Sequence, residues 1–258
     1  MIDTIVQTLL QGLLLGALYC LFALGQSLMF GVMRLTNTAQ GDFIVLAAFG
    51  AIALAPLLLM SSLAAAAALL PVAFAAGYAL QRWVLNGTLG RDPLPSLVVT
   101  FGLSIVIQNG LLELFSADPR SLDSAGFSTR SLALGEFAVG ALPLAIFGTA
   151  LLCTVALQAL FDRTAIAFIV IALAGSLQAM RTTVAPSDGP LLLLFAFEAV
   201  IIGGMGSFWG TFAGAMVLGL AQQIGFRLDP GWGIWFGHLV FLAVLVVRPQ
   251  GLFPRTRG

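Results

Sequence analysis

The chain is 258 residues long and 60% hydrophobic, and its 11 basic and 11 acidic residues cancel to zero net charge at pH 7. A mean hydropathy of +1.05 means more apolar surface than one water-soluble core can hide, so lipid must solvate much of it. Every basic residue is Arg and the signs balance, which leaves no basic footprint for a nucleic-acid partner.

The charges fall in short clusters between uncharged stretches. That spacing predicts about nine apolar segments, near 8–31, 43–59, 63–81, 95–115, 137–160, 165–180, 190–203, 208–226 and 232–247. Each is close to the roughly 20 residues that a membrane-crossing helix needs. Two are short, so eight spans plus one broken or re-entrant segment is an equal reading. The fold class is therefore an all-α polytopic membrane protein with about 8–9 transmembrane helices, in a single transmembrane domain over 1–258. The Met1-Ile-Asp-Thr start has no basic region, and no small-residue cleavage site closes the first apolar stretch, so this stretch reads as a retained span rather than a signal peptide.

Along the first segment, Gly12 and Gly16 have the four-residue spacing that lets helix backbones approach in lipid, as do Gly206, Gly210 and Gly214 later. These five are assigned to helix packing. Between the first two segments lies the polar cassette Arg34-Leu-Thr-Asn-Thr-Ala-Gln-Gly-Asp42. It reads equally as a simple turn or as an unwound stretch lining a polar cavity through Asn37 and Gln40. Gln108 and Asn109 lie in the fourth segment, where amides bond across helices or face a solute path.

Glu198 is the one carboxylate deep in an apolar stretch, and such a group costs on the order of 2.5–3.5 kcal/mol at a helix centre. Its partner cannot be named from the sequence. His238, the only histidine, reads as a packing residue. Ser207 and His238 faintly resemble an intramembrane serine protease dyad, but their depths in adjacent antiparallel segments match poorly. No phosphate-binding loop and no metallopeptidase spacing occur, so no ATPase site, enzyme activity, metal or cofactor is expected. Cys20 and Cys153 lie in apolar stretches and read as unpaired buried thiols.

Sidedness follows the Arg distribution. The tail has Arg248, Arg255 and Arg257 without acidic neighbours, and the 82–92 loop has Arg82 and Arg91 against Asp92. Both are placed in the cytoplasm, and nine crossings then put the N-terminus outside.

The order of motifs resembles the permease subunits of the branched-chain amino-acid ABC importers, of the LivH type, over about residues 8 to 253. The residues that carry this are Gly31-Val32 leading into Asn37-Thr38-Ala39-Gln40-Gly41-Asp42, Gly90-Arg91-Asp92-Pro93-Leu94, and Gly102-Leu103-Ser104 followed by Gln108-Asn109. Gly203-Gly204-Met205-Gly206-Ser207 with Gly210 and Arg248-Pro249-Gln250-Gly251-Leu252-Phe253 complete the series. The resemblance implies a multi-pass permease of the bacterial inner membrane with the type II ABC importer fold. Its implied partners are a homologous second permease, two cytoplasmic ATPase subunits and a periplasmic solute-binding protein. Transport would run by alternating access, with Asn37, Gln40, Gln108, Asn109 and Glu198 near the path.

Two departures from the family pattern stand out. The cassette usually reads Asn-x-Ala-His-Gly, and Gln40 here keeps hydrogen bonding but cannot protonate near neutral pH. The family also inserts about two dozen cytoplasmic residues, including a helix that docks on the ATPase, where this chain runs from Phe161-Asp162-Arg163-Thr164-Ala165 directly into Ile166. So short a turn cannot build a docking helix. Coupling would rest on Arg91 and Asp92 and on Asp162, Arg163 and Thr164. A natural deletion, residues missing from the chain as it stands, and coupling through other contacts are the three accounts. The alternative function is an ATP-independent transporter or channel derived from such a permease.

Overall fold

The computed structural model describes residues 2–33, 37–88, 94–124, 126–127, 129–134, 137–159 and 166–253. Among them are nine α-helices: α1 (Ile2–Met33), α2 (Gln40–Leu57), α3 (Ser62–Trp83), α4 (Leu94–Phe115), α5 (Ala141–Ala159), α6 (Ile166–Arg181), α7 (Gly189–Gly203), α8 (Phe208–Leu228) and α9 (Gly233–Val247). Six stretches are long and apolar enough to cross a bilayer: Asp3–Gly31, Gln40–Leu57, Ser62–Thr88, Leu94–Phe115, Ala141–Ala159 and Pro186–Gly203. α6 and α9 are apolar but shorter. α1 has 32 residues, about 48 Å at ~1.5 Å per residue, against a hydrocarbon core of ~30 Å.

One difference from the hydropathy reading lies before α5. The segment expected as one apolar stretch over 137–160 begins with a strand, β2 (Phe137–Gly140), antiparallel to β1 (Ser131–Leu134), with Ser131 opposite Gly140 and Leu134 opposite Phe137. The helix starts only at Ala141, with Pro143 in its first turn, where a missing N–H does no harm.

The chain forms two compact units. The first comprises Met1–Ser27, Thr129–Ala159 and Phe195–Gly258. Here α1 lies against α8 with almost no side chain between them: a Cβ on Gly16 would fall 2.6 Å from the Ala215 carbonyl oxygen, and one on Gly12 would fall 2.9 Å from Leu220 Cα. Gly210 and Gly214 similarly face the backbone of Gly203 on α7. Gly206 is a correction to the packing assignment. It has φ +81° in the turn between α7 and α8, a left-handed conformation that glycine adopts without steric cost.

The first unit is closed by the tail. After α9, the N–H groups of Leu252 and Phe253 donate to the Ile202 and Gly203 carbonyls at 2.8 and 2.9 Å. These are carbonyls that the end of α7 leaves without an intrahelical partner. Gly251 has φ +82°, and a Cβ there would sit 2.5 Å from Gly204 Cα. The two glycine-bearing motifs singled out in the sequence therefore dock on each other.

The second unit comprises Leu28–Ser128 and Leu160–Leu194. α2 packs on α6, α3 and α4, and α3 also packs on α6. The segment after α4 is pinned by backbone bonds: Arg120 and Val184 exchange N–H to carbonyl bonds at 2.9 and 2.7 Å, and Leu122 N–H donates to Ala179 at 2.8 Å. The Ser62 hydroxyl donates to the Asp123 carbonyl.

Candidate functional site

In the second unit the cassette is described from Asn37 onward, and Asn37, Gln40 and Asp42 are buried. Asn37 makes a local turn: its Oδ1 accepts the Ala39 N–H at 3.0 Å, while Nδ2 donates to Met29 Sδ at 3.3 Å. Such a side-chain turn orders the approach to α2, whose cap residue Ala39 has no side-chain oxygen. Gln40 and Asp42 then fall in the first helical turn, where the backbone dipole favours an acidic residue.

α4 supplies the facing side. Ser96, Thr100, Ser104 and Gln108 recur every fourth residue and so share one stripe. The Thr100 hydroxyl lies 2.8 Å from the Thr38 hydroxyl and accepts the Thr38 N–H at 3.2 Å. Two turns on, Gln108 Nε2 donates to Asp42 Oδ1 at 2.9 Å, with Ser104 a further hydrogen-bonding neighbour of that carboxylate. On the other sides of α4, Val98, Val106 and Leu114 are 69%, 68% and 77% exposed. The helix is inverted relative to a soluble one, with its polar stripe inward and its apolar sides turned to lipid.

The start of α7 borders the same seam. The 3₁₀ turn Pro186–Asp188 packs against both α2 and α4, and a Cβ on Gly189 would collide with the Asp42 carboxylate. Hydroxyls, amides and one carboxylate are thus gathered in a small volume between apolar helices.

The first unit holds a second polar cluster. Glu198 on α7 is 1% exposed and hydrogen-bonds Nδ1 of His238 on α9. Nearby, the Tyr19 hydroxyl on α1 donates to Gln222 Oε1 on α8 at 2.5 Å. The Tyr19 ring stands 4.8 Å from Phe195, one turn before Glu198. Gly237 leaves room for Gln222, since a Cβ there would lie 2.8 Å from Gln222 Cγ. Four helices meet around these groups.

The structure places Asn37 and Gln40 buried at the start of α2 and joins Gln108 to Asp42 on that helix, and it places Glu198 in the other unit with His238. Asn109 is exposed, and its Nδ2 donates to its own helix at the Ile105 carbonyl, 2.8 Å away. Arg91, Asp92, Asp162, Arg163 and Thr164 lie outside the described residues. Ser207 caps α8, its Oγ accepting the Gly210 N–H at 3.0 Å, so neither it nor His238 is turned to the other. Sequence reasoning missed Asp42 and Thr100 as site members and His238 as the partner of Glu198. The four-residue repeat on α4 was the available signal for Thr100.

Nine helices among the described residues, with six stretches long and apolar enough to cross a bilayer, define a polytopic α-helical membrane protein. The chain belongs to the branched-chain amino acid transport system permease component family, whose profile matches residues 8–173 and 166–248. It is similar to the high-affinity branched-chain amino acid transport system permease protein BraD of Pseudomonas aeruginosa, with 26% identity over 302 positions covering 96% of this chain and 95% of that one. The LivH permease proteins of Escherichia coli K12 and Salmonella typhimurium are 23% identical over 300 positions at the same coverage. Since 96% of 258 residues is about 248, some fifty positions of the 302-position alignment face gaps in this chain. The two profile matches overlap at 166–173, next to the short connection before α6. No solved structure matches the chain.

Proposed function

We propose that this chain is the permease subunit of an ABC importer of the bacterial inner membrane, moving branched-chain or related small amino acids by alternating access. The observation that carries the reading is the seam in which Thr38 and Asp42 bond to Thr100 and Gln108 on α4, beside the buried Asn37 and Gln40. Polar groups at membrane depth are costly and gather where helices bind one another or a polar solute passes. A zwitterionic amino acid needs both donors and acceptors, and this seam supplies both. The substrate class follows from the relatives' names.

In this reading one transmembrane domain, 1–258, pairs with a homologous permease, two cytoplasmic ATPases and a periplasmic binding protein. The C-terminus and the 82–92 loop face the cytoplasm. Arg91 and Asp92, with Asp162, Arg163 and Thr164, would meet the ATPases. Solute moves only if each ligand binds the two permease states unequally, because equal affinity shifts nothing.

The test is co-purification with the ATPases and the partner permease, followed by ATP hydrolysis with leucine-loaded binding protein. Stimulated hydrolysis supports the reading and shows that the short connection suffices. Assembly that appears only when a family-length loop is inserted after Thr164 marks an importer subunit that has lost its coupling element. The pair of buried Glu198 and half-buried His238 favours a second reading, an ATP-independent transporter with a proton or ion site there. Uptake that survives ATP depletion but collapses with the proton gradient would establish the second reading against the first.

A further inference from the structure

Where α1 and α8 meet at Gly12, within the first unit, a Cβ would lie 3.3 Å from Gln223 Cβ. Beside that contact, toward the start of α1 and the end of α8, lies a polar cleft of about 210 Å³. Thr4, Gln7, Thr8 and Gln11 line it from α1, and Gln223, Phe226 and Arg227 line it from α8. Both sets have three- and four-residue spacing and so occupy one face of each helix. The opposite face of α1, with Val6, Leu9 and Leu13, is exposed and apolar. At ~30 Å³ for each water-sized group, the cleft takes about seven such groups, a phosphate and the start of its ester.

Unused donors gather in the lining. Gln223 Nε2 donates to Gln11 Oε1 at 2.8 Å, which leaves Gln11 Nε2 unbonded. The Gln7 amide and the Arg227 guanidinium also have no hydrogen-bond or ionic partner among the described residues. No carboxylate among the described residues lines the cleft, so its one charge is positive. A guanidinium with amide N–H groups beside it fits the oxygens of a phosphate. Just past the end of α8, Trp232 and Trp235 are 56% and 69% exposed. Exposed Trp marks the headgroup level of a bilayer, where lipid phosphates lie. Phe226, the one apolar lining residue, is also exposed and offers an apolar surface to the ester end.

We infer that this cleft is a phosphate site, filled by the headgroup of one anionic phospholipid, with its phosphate at Arg227 and the amides of Gln7 and Gln11. The inference goes beyond the transport reading and needs only a bilayer around α1 and α8. A choline headgroup would bring a bulky cation against Arg227, so a glycerol headgroup, whose hydroxyls the amides can bond, is preferred. A bound headgroup would bridge the start of α1 to the end of α8.

The test is native mass spectrometry of the full-length chain released from nanodiscs of equal phosphatidylglycerol and phosphatidylcholine. The wild type should retain one phosphatidylglycerol in preference to phosphatidylcholine. Arg227→Gln, an exposed change, should lower that preference about fivefold, the factor one basic side chain contributes near an anionic surface. Gln7→Leu, also exposed, should lower it with no change in charge. Arg248→Gln removes an exposed charge outside the cleft and should leave the preference unchanged. Equal preference in the wild type and Arg227→Gln would overturn the proposal. So would an equal loss in Arg248→Gln, the sign of a diffuse attraction to any surface Arg. Soluble glycerol phosphate should not displace the lipid; displacement would overturn the lipid as the occupant and leave a free phosphate as the ligand.

Discussion

The Glu198–His238 pair allows a quantitative test of the first unit. Glu198 is 1% exposed and its Oε2 has no hydrogen-bond partner among the described residues, so His238 supplies the partner at Oε1. His238→Ala leaves a buried carboxyl group with neither oxygen satisfied, a loss of about 1–3 kcal/mol in water-soluble proteins. Inside a membrane the unfolded reference also finds partners, and measured couplings average ~0.6 with a maximum near ~1.7 kcal/mol. The membrane range is the relevant one here. A double-mutant cycle with Glu198→Ala, His238→Ala and the double variant, followed by reversible unfolding in mixed micelles, should give a coupling of about 0.6–1.7 kcal/mol. Additivity to within ~0.3 kcal/mol would refute the pairing. A coupling above ~3 kcal/mol would show a fully charged pair shielded from water, where removing one partner strands the other.

Gln108→Leu removes the amide donor to Asp42 while keeping the volume of the side chain. It should lower uptake several-fold at normal expression if the seam lines the path, and equal uptake would reduce the contact to helix glue. Gln40→Leu should likewise impair uptake more than thermal stability, read by uptake and by monodispersity after heating. Gly16→Ala forces a Cβ onto the Ala215 carbonyl and should destabilise the fold by about 1–3 kcal/mol. Gly102→Ala meets nothing within 4 Å and should be neutral or slightly stabilising, as Ala favours helix. Equal unfolding midpoints for these two variants would sink the account of the α1–α8 contact.

The helices were legible because uncharged runs and membrane thickness together limit where a span can begin and end. The β1–β2 hairpin was not, because four apolar residues preceding an apolar helix carry no boundary that hydropathy detects. In the seam, Gln108 and Asn109 drew attention as an adjacent pair, yet neighbours on a helix point about 100° apart. Gln108 reaches Asp42, whereas Asn109 bonds its own helix. Spacing by four, from Ser96 to Gln108, was the more informative pattern. Glu198 announced itself by its charge, but its partner lies forty residues away on another helix, and that proximity exists only in the fold.

The docking of Leu252 and Phe253 on the end of α7 also sets an order of events during synthesis. The Ile202 and Gly203 carbonyls leave the ribosome some fifty residues before the amides that donate to them. At ~5–20 residues per second, that is a wait of roughly 3–10 s with α8 and α9 inserted in the interval. Until Gly251 reaches its turn, the α7–α8 elbow has an open end in which water or a chaperone must stand in. A chain that ends between Arg248 and Gly251 would therefore have every helix in place and its first unit unlatched.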